Sequence, residues 1–153
     1  MATTGKFVEI YNATYDNNRA AISKYYVRYC TWPETWGKKL VANSLDQHPQ
    51  AMLTFESENF VGSSAIFEKL NSLPFQQVQH LEPTVRVQPS VTDGFVLVMI
   101  TGHFAALGLD NSFAYSQAFQ LKVPDALDPN VPAEQNAEKF QICNDFFMLN
   151  FKS

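Results

Sequence analysis

His48, His80 and His103 are the histidines of the chain, and Cys30 and Cys143 its cysteines. They fall in five separate stretches, with none of the short spacings that put two ligands on one metal ion, so no metal role is expected. Acyl transfer by serine needs a glycine-flanked elbow, and nucleotide chemistry needs a glycine-rich phosphate loop. Neither pattern occurs, and no cofactor is implied. One pair could move a proton. If His80 and Asp145 faced a common cavity, the carboxylate would orient the imidazole as a general base for proton abstraction or dehydration. The competing expectation is that Asp145 hydrogen-bonds neighbouring loops or faces solvent.

A second chemistry is recognition. In LTFESENFVGSSAIFEKLNSLPFQQVQH, running from Leu53 to His80, the carboxylate of Glu56 directly follows the aromatic Phe55. Further along lie Phe60, Phe75, Phe95, Phe104, Phe113, Phe119, Phe140, Phe146 and Phe147, largely on expected strands. Most of these are core. An inward sheet face so rich in phenylalanine, closing on few polar groups, still suits an inserted apolar side chain better than a reacting polar substrate. Glu56 then stands as a charged rim on an apolar socket, the anatomy of a protein interface. With 15 acidic against 11 basic residues and a net charge of −4, the chain lacks the cationic surplus needed to neutralise nucleic-acid phosphates. A basic protein partner fits better, and the same charge serves solubility.

These groups must be positioned by elements whose periodicity is readable. From Phe7, the residues Phe7, Ile10, Tyr11 and Thr14 follow one helical face, and Asp16–Arg19 supplies a turn before a second short helix at about 20–29. Ile22, Tyr25, Tyr26 and Tyr29 are expected on its inner side. Residues 30–50 break periodicity with Pro33, Gly37 and Pro49 and read as a long loop or partly helical insertion, in which the two tryptophans, Trp32 and Trp36, favour an ordered, docked loop. Strands follow: AMLTFE and NFVG, joined by a turn at Ser57 and Glu58, then a helix opened by Gly62 and Ser63 with Ile66, Leu70 and Leu73 on its buried face. Val85 and Val87 point inward from the next strand, with Thr84, Arg86 and Gln88 outward. DGFVLVMITGHF is apolar on both faces, and Phe113, Tyr115, Gln117, Phe119 and Leu121 share one side of FAYSQAFQLKV. The proline-rich acidic stretch at about 124–138 reads as an extended surface loop, before a last strand, KFQICNDFFMLNF. The order predicts an α+β domain spanning residues 1–153, with three helices on one face of a strongly bent, mostly antiparallel sheet. No apolar run reaches the roughly 20 residues of a membrane span, and two cysteines without a framework spacing suggest a reducing compartment.

The paired motifs LTFE and SLPFQ, with FVEIYNATYDNNRAAISKYY, VQPS, SQAFQLK and ICNDFFMLNF, resemble the nuclear transport factor 2 family over most of the chain. The resemblance implies a cone-shaped fold that forms homodimers through its sheet face. It also implies carriage of the GTPase Ran in its GDP form and binding to Phe-Gly repeats of nucleoporins, with residence in cytoplasm, nucleus and nuclear pore. By position, Phe55, Leu73, Val78, Phe113, Phe146, Phe147 and Leu149 match the socket that receives a Ran phenylalanine, and Glu56 matches the rim carboxylate that meets a Ran lysine. His80 and Asp110 complete the implied partner-binding set.

The chain departs from the family in three places. AALGLDNS offers Asp110 as its one acid where the family has a second acidic site. No tryptophan precedes Phe7, so Trp32 or Trp36 is the candidate replacement in Phe-Gly binding. The stretches at about 30–50 and 124–138 exceed the compact family pattern. Long loops of this kind resemble the small subunit of the mRNA export receptor, a heterodimer partner without Ran carriage. The small-molecule isomerases and dehydratases of the same fold are the enzyme alternative, resting on His80 and Asp145.

Overall fold

The structure, a computed structural model, describes residues 2–26, 50–73, 77–106 and 112–150. Helix α1, Ala2–Asn17, is set by a stripe of Phe7, Val8, Tyr11 and Tyr15, all almost wholly buried at spacings of three to four. It begins before Phe7 because Thr4, buried one turn earlier, extends the stripe with a polar residue that an apolar count passes over. The expected second helix is a 3₁₀ helix over Arg19–Tyr25, burying Ile22 and Tyr25 at the three-residue period of that geometry. It stops at Tyr26, whose extended backbone (φ −86°, ψ 125°) makes an isolated bridge to Ile142. Tyr29 and the stretch carrying Cys30, Trp32, Trp36 and His48 lie outside the described residues.

Strands β1 (Met52–Phe55), β2 (Glu58–Val61), β3 (Val78–Pro89), β4 (Phe95–Ala106), β5 (Ser112–Lys122) and β6 (Gln141–Asn150) form one sheet in the order β2-β1-β6-β5-β4-β3. Every pair is antiparallel except β1 with β6, which run parallel. The chain leaves β1 through the hairpin, a helix and the β3–β5 meander before β6 returns beside it. The β1–β2 turn falls at Glu56 and Ser57, one residue earlier than expected, because Phe55 pairs directly with Glu58.

Burial alternates along the long strands as the two-residue period requires. Tyr115, Gln117, Phe119 and Leu121 are buried, and Val85 and Val87 face inward while Thr84, Arg86 and Gln88 are exposed. The sheet bends at a bulge in β3, where three steps from Leu81 to Thr84 oppose two on β4 and Glu82 takes φ +47°. Gly102 on β4 permits the close approach: a Cβ there would lie 3.1 Å from Leu81 O, 3.2 Å from Tyr115 Cε1 and 3.3 Å from Pro83 Cα.

Helix α2, Ser63–Asn71, follows Gly62 at φ +90° and buries Ile66 and Leu70, whereas Leu73 lies two residues past the helix end and is half-buried. The stretch expected as an extended surface loop contains helix α3, Ala133–Ala137, packed on α1. The Asn136 side chain makes this polar segment compatible with burial. Its Oδ1 accepts from Asp128 N–H (3.0 Å) and its Nδ2 donates to Asp128 O (2.9 Å). Lys6 ties the two helices from outside, 3.3 Å from Glu134. Between helices and sheet, Phe7, Tyr11, Tyr25, Phe119 and Phe140 meet in tilted and edge-on contacts at 5.0–6.5 Å. Among the described residues, no helix is long and apolar enough to cross a membrane.

Candidate functional site

The parallel register of β1 and β6 sets Phe55 opposite Phe147. Their rings stack at 5.0 Å and 10°, and Phe147 stacks in turn on Tyr115 of β5 at 5.7 Å and 15°. Phe104 closes the stack edge-on at 6.3 Å from Phe147. Offset stacking adds about 0.5–1.5 kcal/mol per pair beyond area burial, which makes this a stiff wall. Val78 is buried in the same apolar cluster, with Leu73 and Leu149 partly buried against it. Phe113, half-buried, sits across the ladder from Phe104.

Glu56 stands at the end of this stack. The two-residue hairpin forces it to φ +57°, a left-handed conformation that costs a non-glycine residue about 1–2 kcal/mol. Its own N–H continues the ladder to Phe147 O (2.9 Å). The next donor along β6, Leu149 N–H, goes to the Glu56 carboxylate oxygen Oε1. An exposed acid is thereby tied to the strand that carries Phe147.

Lys69 of α2 lies over the same wall, its ammonium 5.1 Å from the Phe55 ring, 5.3 Å from Phe60 and 3.8 Å from Glu58. The sequence reading missed it. Its position beside Leu70 on the helix was the available signal.

Phe146, expected in the socket, does not lie with the stacked wall. Strand period two sends Asp145, Phe147 and Leu149 inward, so Phe146 and Met148 face outward and are 53% and 54% exposed. The neighbouring phenylalanines occupy opposite faces of the sheet. Asp110 and Phe75 lie outside the described residues.

The His80–Asp145 dyad does not form either. His80 Nδ1 pairs with Asp16 Oδ1 at 2.7 Å, its main-chain N–H donates to Asp16 Oδ2 at 3.1 Å, and its ring is boxed by Tyr15, Phe104 and Tyr115. Asp145 instead accepts from Tyr26 OH (2.6 Å) and Gln117 Nε2 (2.9 Å), and Tyr26 OH also meets Tyr11 OH (2.9 Å).

Burial pushes the Asp145 carboxyl up to about 7, against the lowering effect of the two donated hydrogen bonds. Burial first, and then the negative charge of Asp145, hold Tyr26 and Tyr11 well above the usual phenol range. Gln117 Oε1 is buried without a partner; a protonated Asp145 could donate to it only if the amide turned over, which would move Nε2 into that position. Gln117 was the visible signal for this network, a lone amide on an otherwise apolar inward row.

The outer face of the sheet carries exposed apolar side chains among its polar ones. Register aligns Arg86, Met99, Ala118 and Phe146 across four strands. Leu97, Met99 and Met52 are exposed beside Phe146 and Met148. A groove of about 370 Å³ runs between Arg86, Gln88, Leu97, Met99 and Ala118.

Residues 3–149 match the family described as the nuclear transport factor 2 domain. The chain is 34% identical over 150 residues to nuclear transport factor 2 of Oryza sativa subsp. japonica, covering 98% of this chain and 96% of that protein. It is 33% identical over 148 residues to nuclear transport factor 2 of Emericella nidulans, covering 97% and 93%. Among solved structures, nuclear transport factor 2 from Cryptosporidium parvum superposes with a TM-score of 0.68 at 31% identity, covering 97% and 93%. The Mtr2-Mex67 M domain complex of C. albicans (TM-score 0.60, 10% identity, 95% and 91% covered) shares the fold alone. So does a putative scytalone dehydratase from Novosphingobium aromaticivorans (0.61, 9%, 99% and 84%). With a family match over nearly the whole chain and relatives above 30% identity from end to end, the chain belongs to the nuclear transport factor 2 family of nuclear transport proteins.

Proposed function

We propose that this protein carries the GTPase Ran, in its GDP form, from cytoplasm to nucleus, contacting Phe-Gly nucleoporins in the pore. The observation that carries this reading is the stacked wall of Phe55, Phe147 and Tyr115 with the Glu56 carboxylate fixed at its end. These rings are at most 8% exposed in the free chain, so the inserted aromatic is placed against the partly buried Leu73, Phe113 and Leu149, and a neighbouring cation on the partner meets Glu56. Val78, Leu73, Phe113 and Leu149 are the further socket residues, with His80 a positioning group behind the wall, held by Asp16. The site binds and does not catalyse: the two groups that could have formed a proton-transfer pair are each committed to other partners.

Two copies pair through the outer sheet face, where Phe146, Met148, Met99 and Leu97 supply the apolar centre and Arg86 a charged margin. Identity of 31–34% to nuclear transport factors, against 10% to the Mtr2-Mex67 complex, favours the Ran carrier over an mRNA export subunit. The test is a side-by-side titration of the purified protein with GDP-loaded and GTP-loaded Ran. Binding restricted to the GDP form is expected, and equal binding to both forms removes the reading.

A further inference from the structure

Parallel ladders take one donor and one acceptor from each bonded residue in turn. At the end of β1 this order breaks. Glu56 N–H reaches Phe147 O as a ladder residue should, but the reciprocal donor, Leu149 N–H, finds the Glu56 carboxylate where a main-chain carbonyl would stand. The left-handed conformation of Glu56 begins the hairpin at this point, and the side chain fills the gap it leaves in the ladder. A carboxylate bound through Oε1 to a fixed main-chain N–H has lost most of its rotamer freedom, while the residue as a whole stays exposed to a partner.

We infer that the main-chain N–H of Leu149 is a positioning group for partner recognition, holding the Glu56 carboxylate so that its second oxygen is preset to meet a cation next to the inserted aromatic. This rests on the carrier reading, and it adds a requirement that reading does not contain: side-chain length matters as well as charge. An aspartate at 56 keeps the charge but falls a methylene short of Leu149 N–H, so it cannot hold both contacts. The wall supports the device. Phe55 and Phe147 flank Glu56 in sequence and across the ladder, and Lys69 presses on Phe55 from outside, so the strand end carrying Leu149 is held in place.

The test deletes one hydrogen atom. Residues 143–153 begin with Cys143, which permits native ligation of a synthetic segment carrying leucic acid in place of Leu149; the ester oxygen removes the N–H. Without the N–H the Glu56 side chain must be ordered on binding, which costs up to the equivalent of roughly tenfold in affinity. The ester protein is expected to bind GDP-loaded Ran about tenfold more weakly than the all-amide ligation product. In a Glu56→Gln background the same ester is expected to change binding by less than about twofold, because no charge remains to be aimed. A merely structural ester effect would appear equally in both backgrounds, and that result overturns the inference, as does an unchanged affinity in the Glu56 background. Glu56→Asp, made without ligation, is expected to lose roughly tenfold or more; full binding by it contradicts the length requirement. All-amide protein that fails to bind Ran at all overturns the carrier reading as well, whereas tight binding insensitive to the ester overturns this inference alone.

Discussion

Asp145→Asn is expected to stabilise the protein at pH 8 and to flatten its pH dependence. The unfolded carboxyl titrates near 3.8, and burial raises the folded one to about 7. Between those values the folded chain holds a proton that the unfolded chain has released, so folding is favoured at the acid end and the advantage is lost as pH rises through about 7. From pH 5.5 to 7 is about one and a half pH units at about 1.4 kcal/mol each, so the wild type should lose on the order of 2 kcal/mol across that range. Asparagine reproduces the protonated acid. Its Oδ1 accepts from Tyr26 OH, and its Nδ2 donates to Gln117 Oε1 once that amide turns over; Gln117 Nε2 then takes the position that Oε1 holds now, so the gain is the absence of a buried charge. The assay is urea unfolding of both proteins at half-unit steps from pH 5.5 to 8.5. Contributions that the substitution leaves untouched cancel in the difference. Parallel stability curves, or a variant less stable than wild type at pH 8, would refute the reasoning.

Three further outcomes follow from the geometry. Phe146→Asp should convert a dimer to a monomer by analytical ultracentrifugation while changing monomer stability by no more than about 0.5 kcal/mol, since the side chain is 53% exposed; a persisting dimer contradicts the outer-face assignment. Gly102→Ala should cost about 1–3 kcal/mol, read as a lower urea midpoint, because the new Cβ would press on Leu81 O and Tyr115; an unchanged midpoint would mean the bulge yields. Asn136→Ala should cost a similar amount, about 1–3 kcal/mol, by leaving the Asp128 main-chain groups without their side-chain partners; stability equal to wild type counts against the packed state of α3.

The inward rows of the long strands were legible because period-two alternation is local: Val85 and Val87, or Tyr115 through Leu121, declare a face without reference to any other strand. Phe146 and Phe147 did not. Two adjacent phenylalanines carry no parity of their own, and the choice between them is made by the register of β6 against β1, a pairing across more than ninety residues. Separation along the chain also hid the commitments of His80 to Asp16, and of Asp145 to Tyr26 and Gln117. Asp16 reads in sequence only as turn chemistry, and its partner is 64 residues away. The acidic stretch before β6 looked too polar to pack because its compensation, one asparagine serving both main-chain groups of Asp128, is invisible to composition. Glu56 was legible as a rim charge beside an aromatic, but its bond to Leu149 depends on the backbone conformation at the hairpin.

Charge reversal at Glu56 is the sharpest probe of partner binding at this strand end, because it changes one exposed side chain and leaves the stacked rings of Phe55 and Phe147 in place. Isothermal titration of GDP-loaded Ran into Glu56→Lys, alongside a thermal melt of the variant alone, should show binding abolished and a folded protein. A partner cation would meet like charge instead of its carboxylate, at a cost on the order of several kcal/mol. Wild-type affinity in a folded Glu56→Lys protein would contradict the account.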